Sequence, residues 1–504
     1  MPSISDLDHE NPVGLSSKQI QSIAIIGGGA SAAIILDTLL KEPDSNIRKI
    51  VIYERQDKLG GVWYLNPQTI KTPNHIIKSG NINFENDPQL ANPFHDAEEL
   101  TNEIRLPRNN QERFLQTPSY HGIKTNIIEN MMTYSDNRNW GVEGNDRDGK
   151  YVVGTVVQKY IESYVNQNLN NSKVKLSLNS TVEDVERIDR SDDVELQYRF
   201  KLTVREELKD STQDRWYQEE FDSVIVATGH YHVPFIPHVP GLKNLQEKYP
   251  DLVQHAKFYR SSEPYKGKTA IVVGSRASGS DLTKFIAREP GTKVYQSIRN
   301  YERTKVLSSK TNVESKPPIA SIELLNSESN KQKIKVLFED GSIVYDPDHI
   351  IYCTGYLFSY PYLNRLFNNS ITHEGMTVSN LYQHTFLVNE PLITIIGVPI
   401  DGISFRVFEY QAILLSRYIT GKIRLPSRNE QIQWVNNRYD EKSNTRLYHT
   451  IGVVDALPYA QTLVRLGQVS SKTKVGREFP IMTEAEVQEY KEAGEKLRKF
   501  WDER

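Results

Sequence analysis

Two apolar, β-branched runs lie about 250 residues apart in this chain, and each is broken by a glycine-rich turn and followed by a helix-compatible stretch. The first spans Ile23 to Ile34 and the second Ala270 to Leu282. Strand, glycine turn and helix in that order open a βαβ unit whose turn receives the pyrophosphate of a dinucleotide. In the first, Gly27, Gly29 and Ala32 fill the three small-residue positions of the pattern. Gly27 permits the tight turn, Gly29 lets the backbone approach a phosphate, and Ala32 lets helix and strand pack closely. A glycine cluster also makes an ordinary turn, so the neighbouring strands decide the reading. The run Ile50 to Tyr53 is a second strand and ends at Glu54, where an acid accepts hydrogen bonds from ribose hydroxyls. Gly60 and Gly61 follow, then Val62 and Trp63. The glycines allow backbone approach to a ligand, and the indole is either core or laid against a flat ring.

In the second motif Gly274 and Gly279 hold the outer positions, Ser278 lies between them, and Arg276 replaces the middle glycine. An arginine there loses close backbone approach and instead reaches a phosphate directly. The next strand, Lys293 to Arg299, ends without an acid. An acid would repel a 2′-phosphate, whereas Arg299 pairs with one, so the pattern favours NADPH over NADH. A solvated surface arginine is the plain alternative. Two further strands end in Thr-Gly, at Thr228-Gly229 and at Thr354-Gly355. This reads as an α/β chain with two Rossmann-type dinucleotide-binding domains, the second inserted in a discontinuous first. Residues 20–229 and 350–504 then form the first, the latter part including a C-terminal helical region. Residues 230–349 form the second, and 1–19 are a mobile tail.

At 504 residues the chain needs more than one core. Its net charge of −3, with no long basic run, points away from nucleic acid. The acidic N-terminus is no signal peptide, and no apolar stretch is long enough to span a bilayer. The single cysteine, Cys353, excludes an internal disulfide and a thiolate zinc site, and it fits a reducing compartment. It ends an apolar strand and reads as packing. No metal site is expected. The polar stretches 66–112 and 136–150 read as surface insertions, and 190–220 as a β-hairpin or meander. Thr483 and Glu486 are spaced as a capping box that opens a C-terminal helix with Val487, Tyr490, Leu497 and Trp501 on one face.

In order along the chain, these motifs resemble the flavin-containing monooxygenases, and most closely the fungal thiol-oxidising members. The resemblance runs from about Ile23 to about His449. It includes the Gly27 and Gly60–Trp63 segments, Tyr120 to Asn126, Met132 to Asp136, Ala227 to Tyr231, Val233 to Pro237, Thr354 to Pro361 and Phe408 to Ala412. The family signature before the second glycine motif has its counterpart in Tyr249 to Tyr259. His255 and Tyr259 match it. Asp251 stands where the family has glycine, and with Arg276 it is a departure on the nicotinamide side.

The resemblance implies FAD on the first domain and NADPH on the second. It implies that reduced flavin adds dioxygen at C4a, and that the hydroperoxide oxygenates a soft sulfur or nitrogen nucleophile, small thiols first. Asn126 matches the active-site asparagine; read alone, it equally caps the next helix. His255 is either a site residue or a satisfied interior histidine. Thr125, Thr228, Gly229, His255, Tyr259, Thr354, Gly355, Glu409 and Gln411 join the glycine-motif residues as cofactor contacts. The expected partners are a small thiol or amine and oxygen, with a homodimer left open. The expected location is the cytoplasm, with peripheral association to the endoplasmic reticulum also open. A disulfide reductase needs a second cysteine. A Baeyer–Villiger enzyme carries tryptophan where Tyr259 stands. A non-catalytic FAD-binding regulatory relative is the alternative that Asp251 and Arg276 motivate.

Overall fold

The computed structural model describes residues 10–16, 19–66, 89–95, 102–109, 116–141, 151–190, 196–299, 301, 312–325, 333–452 and 455–502. Most of 66–112 and 142–150, expected as surface insertions, lies outside them, as do the side chains of Leu497 and Trp501.

The strand Ser22–Ile26 is almost wholly buried because it is central in its sheet. It pairs in parallel with Lys49–Tyr53 on one side and Ser223–Val226 on the other. Val174–Ser177 and Ile393–Ile395 extend the parallel sheet outward, and the short strands Phe386–Leu387 and Leu381–Tyr382 close one edge antiparallel. Parallel strands covered on both faces need apolar residues throughout, which is why these runs do not alternate. The helix Ala30–Lys41 is buried from Ser31 to Leu39 and packs against Ser404–Ile419 and Gly154–Asn166.

A second sheet is parallel throughout: Val253–His255, His349–Tyr352, Thr269–Val273, Lys293–Ser297 and Val313–Lys316. Each sheet opens its core with a strand, glycine turn and helix, so the α/β architecture is two dinucleotide-binding units, one inserted in the other. The strand ending at Tyr352 belongs to the second sheet. The boundary expected at 350 therefore falls within that strand. Where the chain crosses between units, Val233–Pro234 pairs antiparallel with Tyr356–Leu357, so outgoing and returning segments are zipped together.

The segment expected as a hairpin or meander is the centre of a four-stranded antiparallel sheet, Ser180–Asp189, Tyr198–Glu207, Gln213–Phe221 and Glu103–Pro107. Glu103–Pro107 falls inside an expected insertion but is built into that sheet. The N-terminal tail is also partly structured: Pro12–Gly14 pairs with Arg424–Ser427. At the C-terminus the capping box forms, with Thr483 N donating to Glu486 at 2.9 Å and Glu486 N to Thr483 Oγ1 at 3.2 Å. No helix among the described residues is long and apolar enough to cross a membrane.

Candidate cofactor and oxygenation site

The first glycine turn is shaped by contacts that leave no room for side chains. Gly27 has φ +110°, and a Cβ on it would stand 2.6 Å from the Ala227 carbonyl oxygen. A Cβ on Gly61 would come 3.0 Å from the Gly29 Cα, so the two glycine segments meet backbone to backbone. Gly29 is the N-cap of Ala30–Lys41 and supplies no side-chain cap. The first N–H groups of that helix are therefore left for a ligand. Ala32 is fully buried at the helix–strand contact. Glu54 is buried, and its carboxylate accepts from Gly28 N at 2.7 Å and Gln56 N at 2.8 Å. Burial raises its pKa against those N–H bonds, which lower it. Glu54 thus ties the second strand to the turn, as an acid placed for ribose must. Val62 and Trp63 continue in the turn Gly61–Trp63; the indole approaches the Cβ position of Gly154 to 3.3 Å. Thr228 is exposed, and the space a Cβ would take on Gly229 is open. This cradle fits FAD.

The second turn repeats the geometry. Gly274 has φ +122°, and a Cβ on it would lie 2.6 Å from the Cys353 carbonyl oxygen; one on Gly279 would lie 2.3 Å from the Gly274 carbonyl oxygen. Arg276 is the N-cap of Ala277–Ala287, with Ser278 in its first turn. Its guanidinium is exposed and ion-paired with Asp401 of the first unit. Arg299 lies two residues past the strand Lys293–Ser297, exposed, with no ion pair among the described residues. These residues fit a phosphorylated dinucleotide.

Asn126 sits exposed on a bend, and no hydrogen bond of its amide is found among the described residues. It does not cap the following turn Glu129–Met131, whose N-cap is Ile128. Thr125 beside it is buried and clamped to Val152, donating N–H at 2.9 Å and accepting at Oγ1 at 3.1 Å. The segment spans both units. At one end Tyr120 donates to Asp281 of the second unit at 2.6 Å. At the other Ile123 accepts from Gly154 N at 3.0 Å, where Trp63 packs.

Other expected contacts are turned inward. His255 is fully buried; Nδ1 accepts from Lys257 N at 3.1 Å, so Nε2 carries the proton and donates to the Gly355 carbonyl at 3.0 Å. Burial presses its pKa down to about 3, against the Gly355 bond. It holds the Gly355 turn and acts on a cofactor only through it. Thr354 donates to the Phe235 carbonyl and so joins the two crossings. Tyr259 is buried against Tyr120 and Tyr265, which makes its identity a packing matter.

Glu409 lies inside a charge network rather than on the cradle. It accepts from Ser135 N at 2.9 Å, from Ser135 Oγ, from Arg406 at 3.3 Å and from Arg477. Gln411 is likewise engaged: its Oε1 accepts from Gly397 N at 3.2 Å, and its Nε2 donates to Thr385 at 2.9 Å and Tyr459 at 3.2 Å. Sequence reading missed Asp401 and Arg446 at the seam between the units, because nothing in their local pattern marks them.

Residues 319–473 match the family described as flavin-binding monooxygenase-like. Residues 24–231 match an FAD-NAD(P)-binding family, and 211–388 a pyridine nucleotide-disulphide oxidoreductase family. The flavin-containing monooxygenase ustF2 of Aspergillus flavus is 25% identical over 466 residues, covering 87% of this chain and 90% of that protein. The Arabidopsis thaliana flavin-containing monooxygenase FMO GS-OX-like 9 is 26% identical over 432 residues, covering 84% and 81%. Among solved structures, S-allyl-L-cysteine S-oxygenase from Allium sativum superposes with a TM-score of 0.68 at 22% identity, covering 95% of this chain and 93% of that one. Tmm from Pelagibacter sp. strain HTCC7211 gives 0.65 at 20% identity, covering 96% and 91%. These two share the fold. Paired glycine turns, an acid on the first and none on the second, and relatives matching more than four fifths of the chain agree: the chain is similar along its length to flavin-containing monooxygenases, and its cofactors are FAD and NADPH.

Proposed function

We propose that this oxidoreductase uses NADPH and oxygen to oxygenate soft sulfur or nitrogen nucleophiles, with small thiols favoured. FAD occupies the turn at Gly27 to Ala32 and NADPH the turn at Gly274 to Gly279. The FAD unit is assembled from the chain before residue 230 together with the chain after the returning crossing. When bound, FAD reduced by NADPH activates dioxygen, one atom going to the nucleophile and the other to water.

The observation that supports this best is the placement of Asn126. Its amide is exposed, with no hydrogen bond among the described residues, on a segment anchored to both units. The backbone just before it is held through Ile123 and Thr125, and neither bond uses the amide. With FAD bound, this amide would serve as an N–H donor toward oxygen activated there. The chain supplies no reactive thiol to compete: burial pushes the Cys353 thiol well up.

The test measures oxygenated product per NADPH consumed with glutathione, cysteamine, an amine and a ketone. Product from the thiols or the amine supports the reading. Ester from the ketone with no oxidised thiol overturns it. Asn126→Ala should keep oxidising NADPH while releasing hydrogen peroxide; full coupling in that variant removes the role given to Asn126.

A further inference from the structure

Two guanidinium groups lie at the seam between the units, and they are treated differently. Arg276 comes from the second unit and is neutralised by Asp401. Arg446 comes from the turn Arg446–His449 of the first unit and reaches across to Gly355. A Cβ on Gly355 would stand 2.3 Å from Arg446 Nη1, so the guanidinium takes the space a side chain would need. Its Nε is buried without a hydrogen-bond partner, and it forms no ion pair among the described residues. Nearby arginines spend their guanidinium on the protein: Arg260, whose Nε also has no partner, donates through its other nitrogens to the carbonyls of Ser119, Lys257 and Tyr259, and Arg438 donates to those of Tyr448 and Thr450. A half-buried guanidinium left without an anion costs free energy that a neutral residue would avoid. Its charge is felt at His230, Tyr231 and Tyr356. The rings of Tyr231 and Tyr356 meet edge to face at 5.5 Å.

We propose that Arg446 is an anion-binding residue of the seam and receives the carboxylate of the molecule to be oxygenated; this rests on the oxygenase reading above. The guanidinium fork matches a carboxylate with two parallel N–H bonds. A nucleotide phosphate has the same anionic oxygens, but the second unit already presents the exposed Arg299 and a helix N-terminus to it. Arg446 stands on the opposite unit, where a second small molecule would enter.

Cysteine and cysteamine differ only by the carboxylate, which makes them the probes. Anaerobic calorimetry on the FAD-loaded enzyme measures the affinity of each, and of NADP+, for the natural protein, Arg446→Met and Arg446→Lys. The natural enzyme should bind cysteine about tenfold or more tighter than cysteamine, the scale of a charge-assisted pair. Arg446→Met should erase that preference and leave NADP+ affinity within about twofold. Arg446→Lys keeps the charge without the fork and should retain part of the preference; it carries the test if the methionine variant does not fold. No preference in the natural enzyme, or a preference that survives in Arg446→Met, overturns the proposal. A loss confined to NADP+ also overturns it and gives the guanidinium to the nucleotide. Cysteine that binds through Arg446 but yields no oxygenated product leaves the anion site standing and refutes the oxygenase reading instead.

Discussion

Replacing Glu409 by alanine separates a residue that binds cofactor from one that holds the fold. Its carboxylate is wholly buried and neutralises parts of two guanidinium groups. The consequences for the two arginines differ. Arg477 keeps Asp37 at 2.9 Å and Asp136, so it stays compensated. Arg406 keeps the Asn130 carbonyl at 3.0 Å but loses the carboxylate beside it, and its side chain is only 4% exposed. Breaking a buried pair from one side costs about 3–5 kcal/mol. The surviving partners of Arg477 place the expected loss near the lower end, about 3 kcal/mol. For a unit of this size that lowers the midpoint of thermal unfolding by on the order of 10 °C. Glu409→Gln keeps the acceptor for Ser135 and should lose about 1–2 kcal/mol. The assay pairs a melting curve of the FAD-loaded protein with FAD affinity of the apoprotein, measured well below the melting range. The structure requires a large fall in midpoint with FAD affinity changed less than about threefold. A midpoint within about 2 °C of the natural protein, together with a tenfold loss of FAD affinity, would refute the buried-network account and return Glu409 to the cradle.

Glu54→Ala should weaken FAD by about 1–3 kcal/mol or more in apoprotein titration, because it removes the bonds to Gly28 and Gln56 as well as a ribose acceptor; FMN recovered from the purified protein would contradict the FAD assignment. Arg299→Ala should narrow the preference for NADPH over NADH by about tenfold, chiefly in apparent affinity, and an unchanged ratio would move the 2′-phosphate contact elsewhere. Stability should fall on acidification below about pH 6.5, the ordinary histidine value in the unfolded chain. Burial presses His230 and His255 to about 3 and holds His384 and His449 well below their ordinary value. These rings are neutral when folded, so their contribution is complete above the unfolded value and is lost as pH falls towards 3. The slope is about 1.4 kcal/mol per pH unit for each histidine. His255→Gln should flatten the pH dependence of the melting midpoint by about one proton, and an unchanged slope would refute the assignment.

What could be read from residues alone was whatever the local backbone dictates. Gly27 and Gly274 are glycines because their φ values are positive and a carbonyl stands against each, and both needs are written into a strand followed by a glycine turn. The antiparallel pairing of Tyr198–Glu207 with Gln213–Phe221 follows from alternation and a polar turn, and the Thr483–Glu486 cap from spacing alone. Long-range satisfaction of polar groups was not legible. Glu409 and Gln411 sit on one helix within a run of apolar neighbours, and sequence does not distinguish a buried charge paired with Arg477, 68 residues on, from one turned to a ligand. His255 matched a family signature, yet its two ring nitrogens serve Lys257 and Gly355. In the other direction, Arg446 looked like an ordinary turn residue, because its significance lies in the absence of an anion beside it.

Arg276 shows how a departure from a motif keeps the fold and changes the electrostatics. The N-cap Gly29 has φ −91° and ψ −165°, and the N-cap Arg276 has φ −79° and ψ −167°. Both are extended backbone, so the middle position of the pattern does not require glycine for its conformation. At the first turn a Cβ on residue 29 would lie 3.5 Å from the Gly61 Cα, ordinary contact, so space there limits only longer side chains. At the second turn the side chain of Arg276 runs out across the seam to Asp401. Asp251 is also free of left-handed backbone, so its place in the family signature imposes no strain either. A phosphate entering the first turn meets only N–H groups, with Glu54 already engaged by Gly28. At the second turn the guanidinium is paired with Asp401, so a phosphate drawn to Arg276 would compete with that carboxylate. The same backbone therefore makes one turn closed by backbone contacts and another whose capping side chain is tied across the seam.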